Sequence, residues 1–202
     1  MQPLRTIEDI PVYWDGTKLF WTGHARVDAD GSPRAYGPDN TGLDYTANAG
    51  HPGNWYGVVT DNGKRSGTPI VQGPDDPYPG LWVSTTSYED TRFGVKDYRR
   101  YLDAEKVPYV VIPGILRRLL PGVVLGAQAE VTNIRTGQCV RGVVGDCGPD
   151  GEIGEFSIAM LGALGVNNGA RKGGTDDKII QVEIWPGVAA KVLGEKYRLI
   201  PA

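Results

Sequence analysis

Two cysteines and two histidines are all the soft ligands this chain has among its 202 residues. His24 and His51 stand far apart, and no CxxC or HExxH spacing occurs, so no metal site of a familiar kind is expected. Asp28-Ala29-Asp30-Gly31 begins like a calcium loop but lacks a third ligand before its glycine and a distal glutamate. GxSxG elbows, phosphate-cradling glycine loops and GxGxxG fingerprints are also missing, and no cofactor is expected. Without a run of about 18 apolar residues there is no candidate membrane span. The opening MQPLRTIEDIPVYW lacks the charged-then-apolar layout of a signal peptide. The two basic pairs, Arg99-Arg100 and Arg117-Arg118, are isolated in a chain of net charge -3 and pI near 5.4. That balance argues against nucleic acid, which selects clustered basic residues, and favours a cationic partner. Cys139 and Cys147 flank one strand candidate; a disulfide, if the chain folds back between them, and two free buried thiols both fit.

Glycine and proline are plentiful instead, 29 and 15 residues, while helix-length amphipathic stretches are scarce. With 40% hydrophobic residues the chain can bury a core, and its length suits one domain, residues 1–202. VYWDGTKLFW reads as a hairpin turning at Asp15-Gly16. Short strand candidates follow from Tyr56 onward: YGVVT, TPIVQ, LWVSTTSY, PYVVIP, VVLGAQAEVTNI, CVRGVV, DKIIQVEIW and KYRLI. Many short strands with one or two short helices indicate a mainly β barrel or sandwich.

Between the hairpin and these strands lies a long, polar, turn-rich segment. It sets Tyr36, Tyr45 and Trp55 among Asp28, Asp30, Asp39, Asp44, Asn40, Asn48 and Asn54. Flat apolar rings beside amides and carboxylates are what sugar rings and their hydroxyl or amino groups need. Aromatics that pin the loop to the core, with Asx residues making turns, are the structural alternative.

The densest chemistry lies in GVVGDCGPDGEIGEFSIAMLGALG, residues 142–165. Val140 to Val144 reads as a buried strand ending at Asp146, and Gly148-Pro149-Asp150-Gly151 turns the chain. Ser157 is a good N-cap for the run Ile158, Leu161, Leu164, with Gly165 as the stop, so Glu155 falls just ahead of a helix. A strand-end Asp and a pre-helix Glu on glycine-rich backbone can face one cleft, one as general acid with a raised pKa and the other as base or nucleophile. The structural alternative is that Asp146 caps a turn and Glu155 complements the helix dipole.

The same stretch resembles the catalytic segment of the family 75 glycoside hydrolases, the chitosanases best known from fungi. Gly145-Asp146 and Gly154-Glu155-Phe156-Ser157-Ile158 carry the likeness. Upstream, Val27-Asp28-Ala29-Asp30 with Gly31 looks like that family's early acidic segment. PYVVIP and the strands leading to Asp146 are similar to its approach to the catalytic Asp. The resemblance implies Asp146 and Glu155 as the catalytic pair, with Asp28, Asp30 and Asp44 as binders of substrate amines. It also implies an inverting mechanism, with carboxyls about 6.5 to 9.5 Å apart. Val131-Thr132-Asn133, Gly145-Asp146, Gly148-Pro149 and the Ser157 helix are similar to a second pattern, that of double-psi β-barrels. Members of that group act on or bind cell-wall polysaccharide. Departures at Cys147-Gly148-Pro149 and Phe156 leave the polymer open between a glucosamine-rich chain and peptidoglycan.

The expectation is therefore a six-stranded double-psi-type barrel with long loops, hairpin extensions and one or two short helices. It would act as a monomeric, extracellular or envelope chitosanase-like endo-hydrolase with a polysaccharide partner and neither nucleic acid nor membrane. Asp146 and Glu155 would be catalytic, and Asp28, Asp30, Tyr36, Asp44, Tyr45, Asn48 and Trp55 would bind substrate. A lytic transglycosylase and a non-catalytic wall-binding module are the alternatives.

Overall fold

Leu19, Trp21, Gly23 and Ala25 alternate with Phe20, Thr22, His24 and Arg26, the period of two of a strand with one buried face. In the computed structural model, which describes residues 1–201, this segment is β3 (Leu19–Asp28). It follows β1 (Arg5–Ile7) and β2 (Ile10–Trp14), and the Asp15-Gly16 turn joins β2 to it as expected. Asp15 Oδ1 accepts from the N–H groups of Thr17 and Lys18, and the Tyr13 and Phe20 rings stack across the hairpin with centroids 5.4 Å apart.

The chain divides into two compact units, Met1–Asp28 with Lys106–Ala202, and Ala29–Glu105. The second unit holds the short strands β4 (Gly50–His51) and β5 (Asn54–Trp55), paired with each other. The first holds β6 (Tyr109–Pro113), β7 (Ala127–Asn133), β8 (Gln138–Gly148), β9 (Glu155–Ser157) and β10 (Thr175–Ala189). A terminal hairpin of β11 (Lys191–Val192) and β12 (Glu195–Lys196) completes that unit.

Strands β3, β10, β7, β8, β6 and β9 hydrogen-bond in that order, and β9 returns to β3, closing a six-stranded mixed barrel. The β6/β8 and β3/β9 pairs are parallel and the others antiparallel. Two cross-strand rows fill the interior: Trp21, Val182 and Val131 form one, Val144, Val110 and Phe156 the other. Each of these side chains is almost wholly buried, which is worth about 1.5–3 kcal/mol apiece.

Two short helices attach to the barrel. The first, α1 (Gly114–Leu119), continues directly from β6 and buries Leu116. The second, α2 (Ile158–Ala163), is capped by Ser157, whose Oγ accepts from Met160 N–H at 3.1 Å and from Tyr109 N–H at 3.0 Å. One hydroxyl thus starts the helix and ties it to β6. Among the described residues no helix is long and apolar enough to cross a membrane.

The second unit departs from the expected strands. YGVVT, TPIVQ and LWVSTTSY meet only through single bridges, Val58 with Ser84, Thr60 with Pro69 and Val71 with Trp82. Pro69, Pro74, Pro77 and Pro79 withhold the N–H groups a ladder would need. A small core of Val59, Val83 and Tyr101, with Ile70 and Tyr98 against it, holds the segment together. KYRLI likewise supplies only the end of β12 and a bridge from Ile200 to Leu125. Burial lifts the Tyr101 hydroxyl to about 12, with Glu89 pushing the same way.

Both cysteines are free. They sit at opposite ends of β8, about 25 Å apart along an extended strand and far beyond disulfide reach. Of the two readings the sequence left open, a disulfide and two free buried thiols, the thiols are free, but Cys139 is exposed, on the solvent-facing first half of β8.

Candidate active site

A bulge sets the direction of Asp146. Along β6/β8, Val110 pairs with Val144 but Val111 pairs with Asp146, so Gly145 is the extra residue. Strict alternation would send Asp146 to the same face as Val144, into the barrel. The bulge turns it to the outer face instead, as bulges commonly do beside functional side chains.

Glu155 reaches the same face from the other side of β6. Phe156 pairs with Val110 and with Val27, both on the interior side, so its neighbour Glu155 points outward beside Arg26, its partner on β3. The outer row therefore runs Asp146, Val111, Glu155, Arg26 across β8, β6, β9 and β3. With β6 between them, the backbones bearing the two acids stand about 10 Å apart, two strand spacings. Gly148, two residues beyond Asp146, keeps the space open: a methyl group there would lie 3.2 Å from Glu155 Oε2 and 3.3 Å from Val111 Cγ1.

The two acids differ in surroundings. Asp146 is 8% exposed and accepts from Cys147 N–H at 2.7 Å. Burial pushes Glu155 up to about 7; Glu152, Asp146 and Glu8 add to the rise, while Arg26 opposes it. One carboxyl of the row is thus a proton carrier near neutral pH. Next to Asp146, burial raises the Cys147 thiol even though Arg117 Nη1 donates to its Sγ at 3.2 Å.

The support behind Glu155 comes from a segment the sequence did not single out. Glu8 and Asp9 form the two-residue turn between β1 and β2, both left-handed, with φ of 46° and 62°. That geometry normally selects Asn or Gly. Glu8 receives Arg26 through both its carboxylate oxygens, at 3.0 and 3.1 Å, and accepts from Ile153 N–H at 3.2 Å. His24 Nε2 lies 3.6 Å from Glu8 Oε2. Burial alone would raise Glu8, but the hydrogen bonds from Arg26 and Ile153 prevail and hold it below the ordinary carboxylate range. Gly154, at φ 93°, admits no side chain, since a Cβ there would lie 2.8 Å from the His24 carbonyl. Its own carbonyl accepts from Arg26 N–H at 2.7 Å. The turn and Arg26 together fix the approach to Glu155.

Of the expected binding residues, Asp28 closes β3, half-buried, with Ser157 as its partner on β9. It therefore shares the outer face with Arg26 and Glu155. The remaining six belong to the second unit. Tyr36 is 2% exposed and donates its hydroxyl to Asp30 at 2.6 Å; Trp55 is 6% exposed and packs edge-on against Trp82, centroids 5.0 Å apart. Neither ring offers a face to solvent in this structure: both pack into their own segment. Asp44 is buried and caps the next turn, accepting from Tyr45 N–H at 2.7 Å and from Asn48 Nδ2 at 2.9 Å. Tyr45, 41% exposed, and the exposed Asn48 are the expected binders that reach the surface, and Tyr56 beside them is exposed as well. No family model matches the chain, and no curated protein matches it significantly.

Proposed function

We propose that the chain is an inverting endo-glycosidase acting on a glucosamine-rich polysaccharide, with Glu155 as general acid and Asp146 as base. The observation that carries the reading is the outer row: two carboxyls separated by one strand, one of them titrating near neutrality. An inverting mechanism needs a protonated acid on one side of the scissile bond and an ionised base on the other, with room for a water between. A half-buried Glu155 and an Asp146 fixed by the bulge on the same face support that reading. A net charge of -3 suits a polycationic polymer, and Asp28 adds a third carboxyl to the same face.

Soluble chitosan is the substrate to test, with products read by viscosity, reducing ends and mass. Wild type is expected to lower viscosity and release oligomers of hydrolytic mass, while Asp146→Asn leaves the polymer intact. Products lighter by one water would instead identify lytic chemistry on the same barrel. Retention on insoluble polymer without new chain ends would identify a binding module.

A further inference from the structure

Arg26 is the one residue on the outer face that works against a protonated Glu155, and it stands directly opposite it in the β3/β9 ladder. A guanidinium free to turn toward a neighbouring carboxylate forms a bidentate pair and ionises it. Here two of its five N–H donors are committed: Arg26 Nη1 and Nη2 donate to the two carboxylate oxygens of Glu8, which orients the guanidinium plane toward Glu8, and Glu8 is itself braced by Ile153 N–H. The turn that delivers Glu8 is built from two non-glycine residues in left-handed backbone, a conformation that costs free energy and persists only when its surroundings hold it.

We infer that Glu8 is a positioning residue whose role is to hold Arg26 away from Glu155. The inference rests on the glycosidase reading for its purpose, but not for its test. The groups facing Glu155 are Asp146 from β8, Arg26 and Asp28 from β3, Glu152 from the preceding loop and Glu8 from the β1–β2 turn, with His24 facing Glu8. Loss of Glu8 removes one negative charge and also frees Arg26, and both effects ionise Glu155. Loss of Arg26 removes the opposing cation and leaves Glu8 unneutralised, which does the reverse.

The test is a carbon-13 carboxyl titration of the resting protein, with the Glu155 resonance assigned by its disappearance in Glu155→Gln. In Glu8→Gln the midpoint is expected to fall by about one pH unit or more, and in Arg26→Gln to rise. In the double variant, adding Glu8→Gln to Arg26→Gln should lower the midpoint by less than half as much as it does alone. An unchanged or higher midpoint in Glu8→Gln overturns the inference. An equal fall in both backgrounds does so too, since Glu8 would then act only as a charge. Should Glu8→Gln not fold, Arg26→Gln decides alone, and a midpoint that fails to rise refutes the role. No substrate enters the titration, so a protein inactive on chitosan can still give these shifts and would lose only the glycosidase reading.

Discussion

Glu155→Gln is expected to abolish chitosan cleavage, lowering kcat by a factor of about 10³ or more with the barrel intact. General acid catalysis contributes roughly 10² to 10⁴, and an amine-bearing sugar is a poor leaving group without a proton. The glutamine preserves the size and shape of the side chain, so KM should change little. In wild type, kcat/KM should fall as pH rises through about 7, where Glu155 loses the proton it must donate. Circular dichroism and steady-state rates from pH 4 to 9 are the measurements. A variant with near wild-type kcat would remove Glu155 from the chemistry.

The same substitution should make the protein more stable, by an amount that grows as pH rises from about 4.5 to about 7 and levels off above that. Burial first, and then Glu152, lift Glu155 from its ordinary 4.5 to about 7 in the folded state. Below about 4.5 both folded and unfolded chains hold the proton, and the residue costs nothing. Between those values the unfolded chain releases its proton while the folded chain retains it, so stability falls with rising pH until the folded midpoint is passed. Above it the folded protein carries a buried charge at a cost of roughly 3 kcal/mol. Glutamine carries no such charge. Its melting temperature should match wild type near pH 4.5 and exceed it by several degrees at pH 8.5. A gap of equal size at both pH values would mean that Glu155 is not held protonated. A carboxyl kept at a cost to folding is what a working acid is expected to look like.

Much of the barrel was readable because the signals were local. Asp15-Gly16, the apolar runs of β6, β8 and β10, and the Ser157 cap each depend on residues close in sequence, and each element formed where its residues called for it. The acid pair was readable as two residue types on glycine-rich backbone, but its geometry was not. Alternation alone aims Asp146 inward, and Gly145 inside the strand is the one local sign of the bulge that turns it out. Nor does the chain order reveal that β6 inserts between β8 and β9, which sets the separation of the carboxyls. Glu8 and Arg26 escaped notice because Glu8-Asp9 lacks the glycine or asparagine that usually marks a two-residue hairpin turn, and because Glu8 meets Ile153 across 145 positions of sequence. The burial of Tyr36 and Trp55 was not legible either: an aromatic ring in a polar segment looks the same whether it faces solvent or pins the segment down.

The stereochemistry of the first product tests the central claim most directly. Proton NMR of chitosan hydrolysis, recorded within the first minutes before the anomers equilibrate, should show the α-anomer at the new reducing end, because water enters opposite the departing β-linked sugar. A β-anomer appearing first would require one carboxylate to attack the sugar itself, and would contradict an acid and a base set apart across β6.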